Sequence, residues 1–335
     1  GDFYYKKTTD LFTNVDVSPI NGITSYIMNN GDMLNKGFSI SLNGYPVKTK
    51  NFRWYMSTYY SVNLNKVQTD DARNYNLNDY LNGTAVVSGQ PISTFYSYKF
   101  LGLNPQNGAP MFDDWEDRWH LLQGKTLDEV VPMILVNSGT RDPKFSGDLN
   151  NTFTYKNWSL SLNFSYSLGS KVRLFEMYGP IINGISAAAN VREEFLDRWQ
   201  VPGDEKYTVY PLIISPSSPD YEHYRLHYSA PQRAVGPNSG VPAFANNVWQ
   251  MYDDSDLRVV SGNYLKLQSL SFSYRLNDRL LRKTPFTQLS ISFNTHNCFT
   301  ISAKELRGQD PSQAGFADAG LSIRPSYTIG LNVSF

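Results

Sequence analysis

A single cysteine, Cys298, in 335 residues excludes a disulfide framework and any cysteine-rich metal cluster. No run of about 18 apolar residues occurs, which rules out helical membrane spans. Excess charge is missing too: 30 Lys and Arg balance 30 Asp and Glu, so nothing favours a nucleic-acid partner. Histidine is scarce, with four residues scattered along the chain. His223 and His227 stand four apart, as on a zinc-binding helix, but no acidic partner completes that motif and Pro219 lies just upstream. Solvated loop histidines are the plainer reading.

What is abundant is aromatic. Phe, Trp and Tyr make up 14% of the chain, with 23 Tyr, 19 Phe and 6 Trp, against a mean hydropathy of −0.41. Excess rings on a polar background suit a β-barrel with aromatic girdles at its membrane rims and a wet interior. They also suit a carbohydrate-binding β protein.

Alternation carries most of the information. Tyr327, Ile329, Leu331, Val333 and Phe335 are apolar, and Thr328, Gly330, Asn332 and Ser334 between them are small or polar. Successive strand side chains point to opposite faces, so this is a strand with one oily and one wet face. Its polar residue, Gly, hydrophobic residue and final aromatic (Thr328, Gly330, Val333, Phe335) match the terminal signature by which outer-membrane barrels are recognised for insertion. A soluble sandwich ending on its last strand is the competing reading.

Hairpins follow the same rule. Phe38, Ile40 and Leu42 alternate with Ser39, Ser41 and Asn43, then turn at Lys48-Thr49-Lys50-Asn51. The return strand places Phe52, Trp54, Met56, Tyr60, Val62 and Leu64 on one face. Phe145 to Tyr155 turns at Lys156-Asn157 into Trp158, Leu160, Leu162, Phe164, Tyr166 and Leu168. The opposite face, Ser159, Ser161, Asn163, Ser165 and Ser167, suits a crowded wet lumen better than a soluble surface, which would carry Lys and Glu. A third hairpin spans Asp256 to Leu276 and returns through Leu289, Ile291 and Phe293. Near Gln268-Ser269 the apolar phase moves from odd positions (Leu265, Leu267) to even ones (Leu270, Phe272, Tyr274), which predicts a β-bulge.

Phe3 to Phe12 begins as a strand and is expected to pass into a polar loop over Asn14 to Asn30. Long segments at Lys66 to Asp142, Gly169 to Ser255 and Thr300 to Leu321 alternate with the tight turns, the asymmetry of a barrel with short periplasmic turns and long outer loops. Eight long strands result. Thr94 to Leu103, paired with Met133 to Val136, is expected as a hairpin inside the first long loop. Ala187 to Gln200, with Val191, Phe195 and Trp199 at four-residue spacing, reads as a helix ending at Pro202-Gly203.

Six blocks then appear in one order. They are Asp2-Phe3-Tyr4-Tyr5-Lys6-Lys7-Thr8-Thr9-Asp10-Leu11, Asn35-Lys36-Gly37-Phe38 and Phe95-Tyr96-Ser97-Tyr98-Lys99-Phe100-Leu101-Gly102. Asp142-Pro143-Lys144-Phe145-Ser146-Gly147, Asp197-Arg198-Trp199-Gln200-Val201-Pro202-Gly203-Asp204 and Asn263-Tyr264-Leu265-Lys266-Leu267 complete them. Together they resemble the SusC/RagA family, TonB-dependent outer-membrane transporters of Bacteroidetes. Asn294 to Phe299 and the Ala- and Gly-rich stretch Arg307 to Ala319 depart from the family pattern, so its loop-level features do not transfer. The resemblance implies an all-β fold: a transmembrane antiparallel β-barrel of about 22 strands with a plugged lumen. Residues 1–335 would be its C-terminal eight strands with long extracellular loops, the plug and earlier strands lying outside this sequence. The opening Gly1-Asp2-Phe3-Tyr4-Tyr5 fits that expectation, being strand-like and no signal peptide.

The resemblance further implies import of an oligosaccharide or peptide in the outer membrane, a SusD-like lipoprotein over the outer mouth, and energy from TonB through the plug. It implies no cofactor and no catalytic residue. A TonB-dependent siderophore or vitamin receptor shares the barrel without the lipoprotein. An outer-membrane hydrolase is the alternative of another class, drawing on His296 with Ser290 and Ser292 on the inward face. Asp113, Asp114, Glu116 and Asp117 could hold Ca²⁺ but lack the Gly-turn spacing of a dedicated loop. For cargo, the candidate residues are the loop aromatics Trp115, Trp119, Tyr221, Tyr224, Tyr228, Trp249 and Tyr252, whose flat faces suit sugar rings or peptide side chains. Trp199 is weaker, because its spacing with Phe195 suggests loop core.

Overall fold

The computed structural model describes residues 1–16, 25–69, 75–113, 115–179, 191–214, 216–219, 221–229, 234–235, 241–242, 244, 247–313 and 324–335. Eight strands form one antiparallel sheet in chain order: β1 (Asp2–Asp16), β2 (Ser25–Lys48), β3 (Phe52–Thr69), β4 (Phe145–Tyr155), β5 (Trp158–Leu168), β6 (Tyr264–Arg275), β7 (Gln288–Ser302) and β8 (Ser326–Ser334). Every strand pairs with its chain neighbour, the up-and-down meander that tight hairpins favour. The short connections after β2, β4 and β6 lie at one end and the long ones at the other.

Register explains the two faces. One row across the sheet reads Trp54, Phe153, Leu160, Phe272, Phe293 and Ile329. A row on the other face reads Ser57, Asn150, Asn163, Ser269, His296 and Ser326. Cross-strand ring pairs knit the apolar face, with Trp158 stacked 5.2 Å from Phe272 and Trp54 5.7 Å from Phe153. No second sheet packs on this face among the described residues, and Ile329 and Leu331 remain 80% and 63% exposed. A two-layer soluble sandwich is thereby excluded for the described residues. Gln268 is skipped in the pairing of β6 with both neighbours, which is the bulge the phase change predicts.

β1 pairs only with β2, and β8 only with β7, among the described residues. The sheet is an open arc, not a self-contained eight-stranded barrel.

Three expectations need correction. The polar stretch Asn14 to Asn30 is largely strand: pairing continues from Phe12 opposite Asn29 to Asp16 opposite Ser25, and only 17–24 lie outside the described residues. Backbone hydrogen bonds sustain a ladder whatever the side-chain pattern, and the alternation could not reveal it. Within the first long loop, Thr94–Tyr98 does pair with Leu135–Thr140, but Met133 and Ile134 end a helix, and Phe100–Leu103 pairs with Pro110–Phe112. Ala187 to Gln200 holds one short 3₁₀ turn, Glu193–Asp197, with 187–190 outside the described residues. Phe195 and Trp199 are buried while Val191 is exposed, so tertiary packing produces their spacing rather than a helical face.

Gly147 in β4 is required by a close approach. A Cβ there would meet the Tyr59 carbonyl oxygen and the Tyr166 hydroxyl, which lies across the glycine to donate to that same carbonyl at 3.3 Å. Gly147→Ala is expected to cost about 1–3 kcal/mol by forcing the neighbouring strand to shift. Denaturant unfolding of the reconstituted protein reads it; an unchanged midpoint would mean the contact carries no stability.

Candidate functional site

The long connections fold into a tier at the loop end of the arc, and this tier holds the chain's hydrophobic core. Its helices are α1 (Leu77–Asn82), α2 (Leu127–Ile134), α3 (Tyr221–Leu226) and α4 (Val248–Asp253). Asn76 and Asp79 form a reciprocal capping box that starts α1, and the Asn247 side chain caps α4. A two-stranded ribbon, 171–173 against 259–261, continues the β5–β6 pair upward into the tier.

Aromatic edges and faces build the core. Tyr252 meets Tyr178 and Phe100 edge-on at 5.4 and 5.6 Å, and Tyr221 stacks on Trp249 at 5.7 Å. Trp249 Nε1 donates to the Leu212 carbonyl at 3.1 Å, and Tyr228 exchanges hydrogen bonds with the backbone of Phe112. All seven candidate rings belong to this cluster: Trp115, Tyr221, Tyr228, Trp249 and Tyr252 are buried, Trp119 and Tyr224 partly so. Tyr224 and Tyr228 alone of the seven line an open groove of about 470 Å³, beside Met111, Phe112, His223 and His227. Trp199 lies against the backbone of Gly108, whose φ of +66° also demands glycine.

Other candidates are accounted for by protein contacts. Arg118 grips both carboxylate oxygens of Asp113 at 2.7 Å and reaches Asp117 at 3.3 Å, while Asp114 lies outside the described residues. His223 and His227 sit ring to ring at 6.4 Å, and among the described residues no three His, Cys, Asp or Glu side chains cluster as a metal would need. His296 lies opposite Ser269 and Ser326 in the wall.

Sequence reasoning missed a buried polar knot beneath the rings. The Asp253 carboxylate accepts the backbone N–H groups of Met177, Tyr178 and Gly179 at 2.8, 2.8 and 3.0 Å. Arg173 donates to the carbonyls of Tyr96 and Leu81 and pairs with Asp254 at 3.3 Å. Gln309 ties the β7–β8 loop to the same segment through Phe175 N and Arg173 O. Adjacent acids at Asp253-Asp254 were the available signal, lost because that stretch borders a strand.

Burial pushes Asp253 and Asp254 up to about 6 despite the cations beside them. A folded value above the ordinary 3.8 means the native tier binds protons more tightly than the unfolded chain. Its stability should therefore rise as pH falls from about 7 through 6 toward 4. Glu194 and Asp310, where burial works upward but hydrogen bonds outweigh it, are held low and lose stability only below that window. Hydrogen exchange of residues 173–179, corrected for intrinsic rates, should show greater protection at pH 5 than at pH 7.5. Asp253→Asn should flatten the difference, and the opposite slope would contradict the assignment.

No family model matches the chain. TonB-dependent receptor P3 of Formosa agariphila is 24% identical over 363 residues, covering all of this chain and 32% of its own length. TonB-dependent receptor P39 of the same organism is 22% identical, again over the whole chain and 33% of the relative. Among solved structures, the RagAB peptide transporter superposes with a TM-score of 0.69 at 19% identity, over 99% of this chain and 33% of that one. The RagAB peptide importer in its open-open state gives 0.67 at 20% identity. The chain thus spans about a third of the length of the proteins it matches. Similar along its whole length to proteins named TonB-dependent receptors, and superposing on the fold of the RagAB transporter, the chain reads as a piece of an outer-membrane β-barrel wall.

Proposed function

We propose that this chain supplies barrel wall and outer loops to a transporter that imports oligosaccharides or peptides across the outer membrane. The observation that carries the reading is the open, two-faced arc with its folded tier at one end. An unpaired strand edge in hydrocarbon costs several kcal/mol per unsatisfied group, so β1 and β8 call for further strands to close the ring. A closed barrel of about 22 strands would hold a plug against the Ser- and Asn-rich face. No bond is made or broken; TonB supplies the energy through the plug, and a SusD-like lipoprotein covers the loops. Tyr224 and Tyr228 of the groove are the aromatics best placed to meet cargo.

Affinity purification of the intact complex from its native membrane tests the reading, with mass spectrometry of copurifying lipoprotein and ligand. A stoichiometric surface lipoprotein and a bound glycan or peptide are expected. A lone receptor carrying a siderophore or vitamin would replace it with the simpler TonB-dependent reading.

A further inference from the structure

The three short turns carry a charge that the balanced composition of the whole chain hides. Eight of its 30 Lys and Arg stand in 48–53, 155–158 and 275–287, with Asp278 as the one acid there among 30 Asp and Glu. Register places Lys48, Arg53 and Arg275 on the wet face of the wall. The other five, Lys50, Lys156, Arg279, Arg282 and Lys283, stand in the turns themselves and are exposed. None of the five enters an ion pair among the described residues.

Beside them the apolar face ends in rings. Phe52, Tyr155, Trp158 and Tyr274 form one row across β3 to β6, with Trp158 and Tyr274 4.3 Å apart. Tyr and Trp concentrate where hydrocarbon gives way to headgroups, so this row sets the level of the interface. The Lys156 ammonium lies 5.4 Å from the centre of the Tyr155 ring, at that same level. The β6–β7 turn adds Leu280, 50% exposed in the helical turn Asp278–Leu281, and Phe335, 85% exposed with Phe286 5.3 Å away. Apolar tips flanked by cations are what a segment lying in a membrane surface carries.

We propose that this rim binds the anionic phospholipid headgroups of the leaflet on the turn side. Lys50, Lys156, Arg279, Arg282 and Lys283 meet phosphates, while Leu280 enters the acyl boundary. The inference rests on the barrel wall proposed above. Turns two strands apart spread the cations over about 20 Å, a band that follows the plane of a bilayer. Neighbouring turns about 10 Å apart cannot close together on a single free phosphate. An acidic protein segment would pair the cations without giving Leu280 and Phe335 an apolar contact. Each cation at an anionic lipid surface strengthens attachment roughly fivefold.

Bimane fluorophores placed singly at the exposed Thr287 and at Leu162 test the proposal, in the Cys298-free full-length receptor reconstituted in phosphatidylcholine bilayers. Doxyl-labelled phosphatidylglycerol and doxyl-labelled phosphatidylcholine serve as quenchers. At 287 the phosphatidylglycerol should reach half-quenching at a mole fraction at least about fivefold lower, and both lipids should quench at 162. Arg279→Gln, Arg282→Gln and Lys283→Gln together should bring the two lipids within about twofold, with heat-modifiable mobility unchanged. Equal quenching at 287, a preference that survives the Gln replacements, or quenching at 162 with none at 287 would overturn the proposal and leave the wall standing. No quenching at either position would remove the wall with it.

Discussion

Replacing Leu162 by Arg is expected to cost about 2–4 kcal/mol and to block assembly of much of the protein. Leu162 stands mid-strand in β5, opposite Asn151 of β4 and Leu270 of β6, on the face that also carries Leu160 and Phe272. An arginine at that depth must either carry charge into hydrocarbon or thin the bilayer around it. The effect should fall with depth: Leu168→Arg, at the loop end of the same strand, should cost about 0–1 kcal/mol. Ser161→Arg, one residue away on the polar face, should assemble normally. Heat-modifiable mobility and denaturant unfolding in lipid report all three. Equal penalties at 161 and 162 would remove the distinction between the faces.

Lys266→Met is expected to destabilise the tier by about 3–5 kcal/mol, because it leaves a buried acid without its partner. Lys266 rises from the polar face of β6 and meets Asp310 of the β7–β8 loop at 2.9 Å, the two side chains only 3% and 8% exposed. Asp310 also accepts from the backbone and hydroxyl of Ser312, which fixes the turn that carries it. The pair pins the loop against the sheet at the bulge that skips Gln268. Replacing both partners, Lys266→Met with Asp310→Leu, should recover much of the loss, since desolvating two charges nearly offsets their attraction. Hydrogen exchange across 303–313 reads the opening; a double variant no better than the single one would place the loss elsewhere.

The wall was legible because a membrane-type strand has period two and few residues break it. Trp158 to Leu168 and its turn at Lys156-Asn157 follow from alternation alone, and so does the bulge at Gln268. Where the side chains do not alternate, as over 14–16 and 25–30, the ladder persists on backbone bonds and the sequence is silent. The tier was harder. Trp115, Trp249 and Tyr252 were candidates for a ligand, yet rings packed on each other give the same composition and are the plainer reading; the structure buries them. Lys266 and Asp310 are 44 positions apart, and Arg258 reaches Phe175 across 83, so no local pattern marks either contact. Asp113 and Asp117 read as a solvated charged loop because the nearby Arg118 was not read as their partner.

The Trp54-to-Ile329 face is expected to meet lipid and the Ser57-to-Ser326 face the wet interior. Nitroxide labels placed singly along β5 and β6 of the Cys298-free receptor in lipid test it most directly, through collision with oxygen and with a polar nickel complex. Labels at 160, 162, 270 and 272 should collide mainly with oxygen, those at 161, 163, 269 and 271 mainly with nickel, alternating residue by residue. Uniform accessibility along both strands, or the opposite phase, would contradict the barrel wall described here.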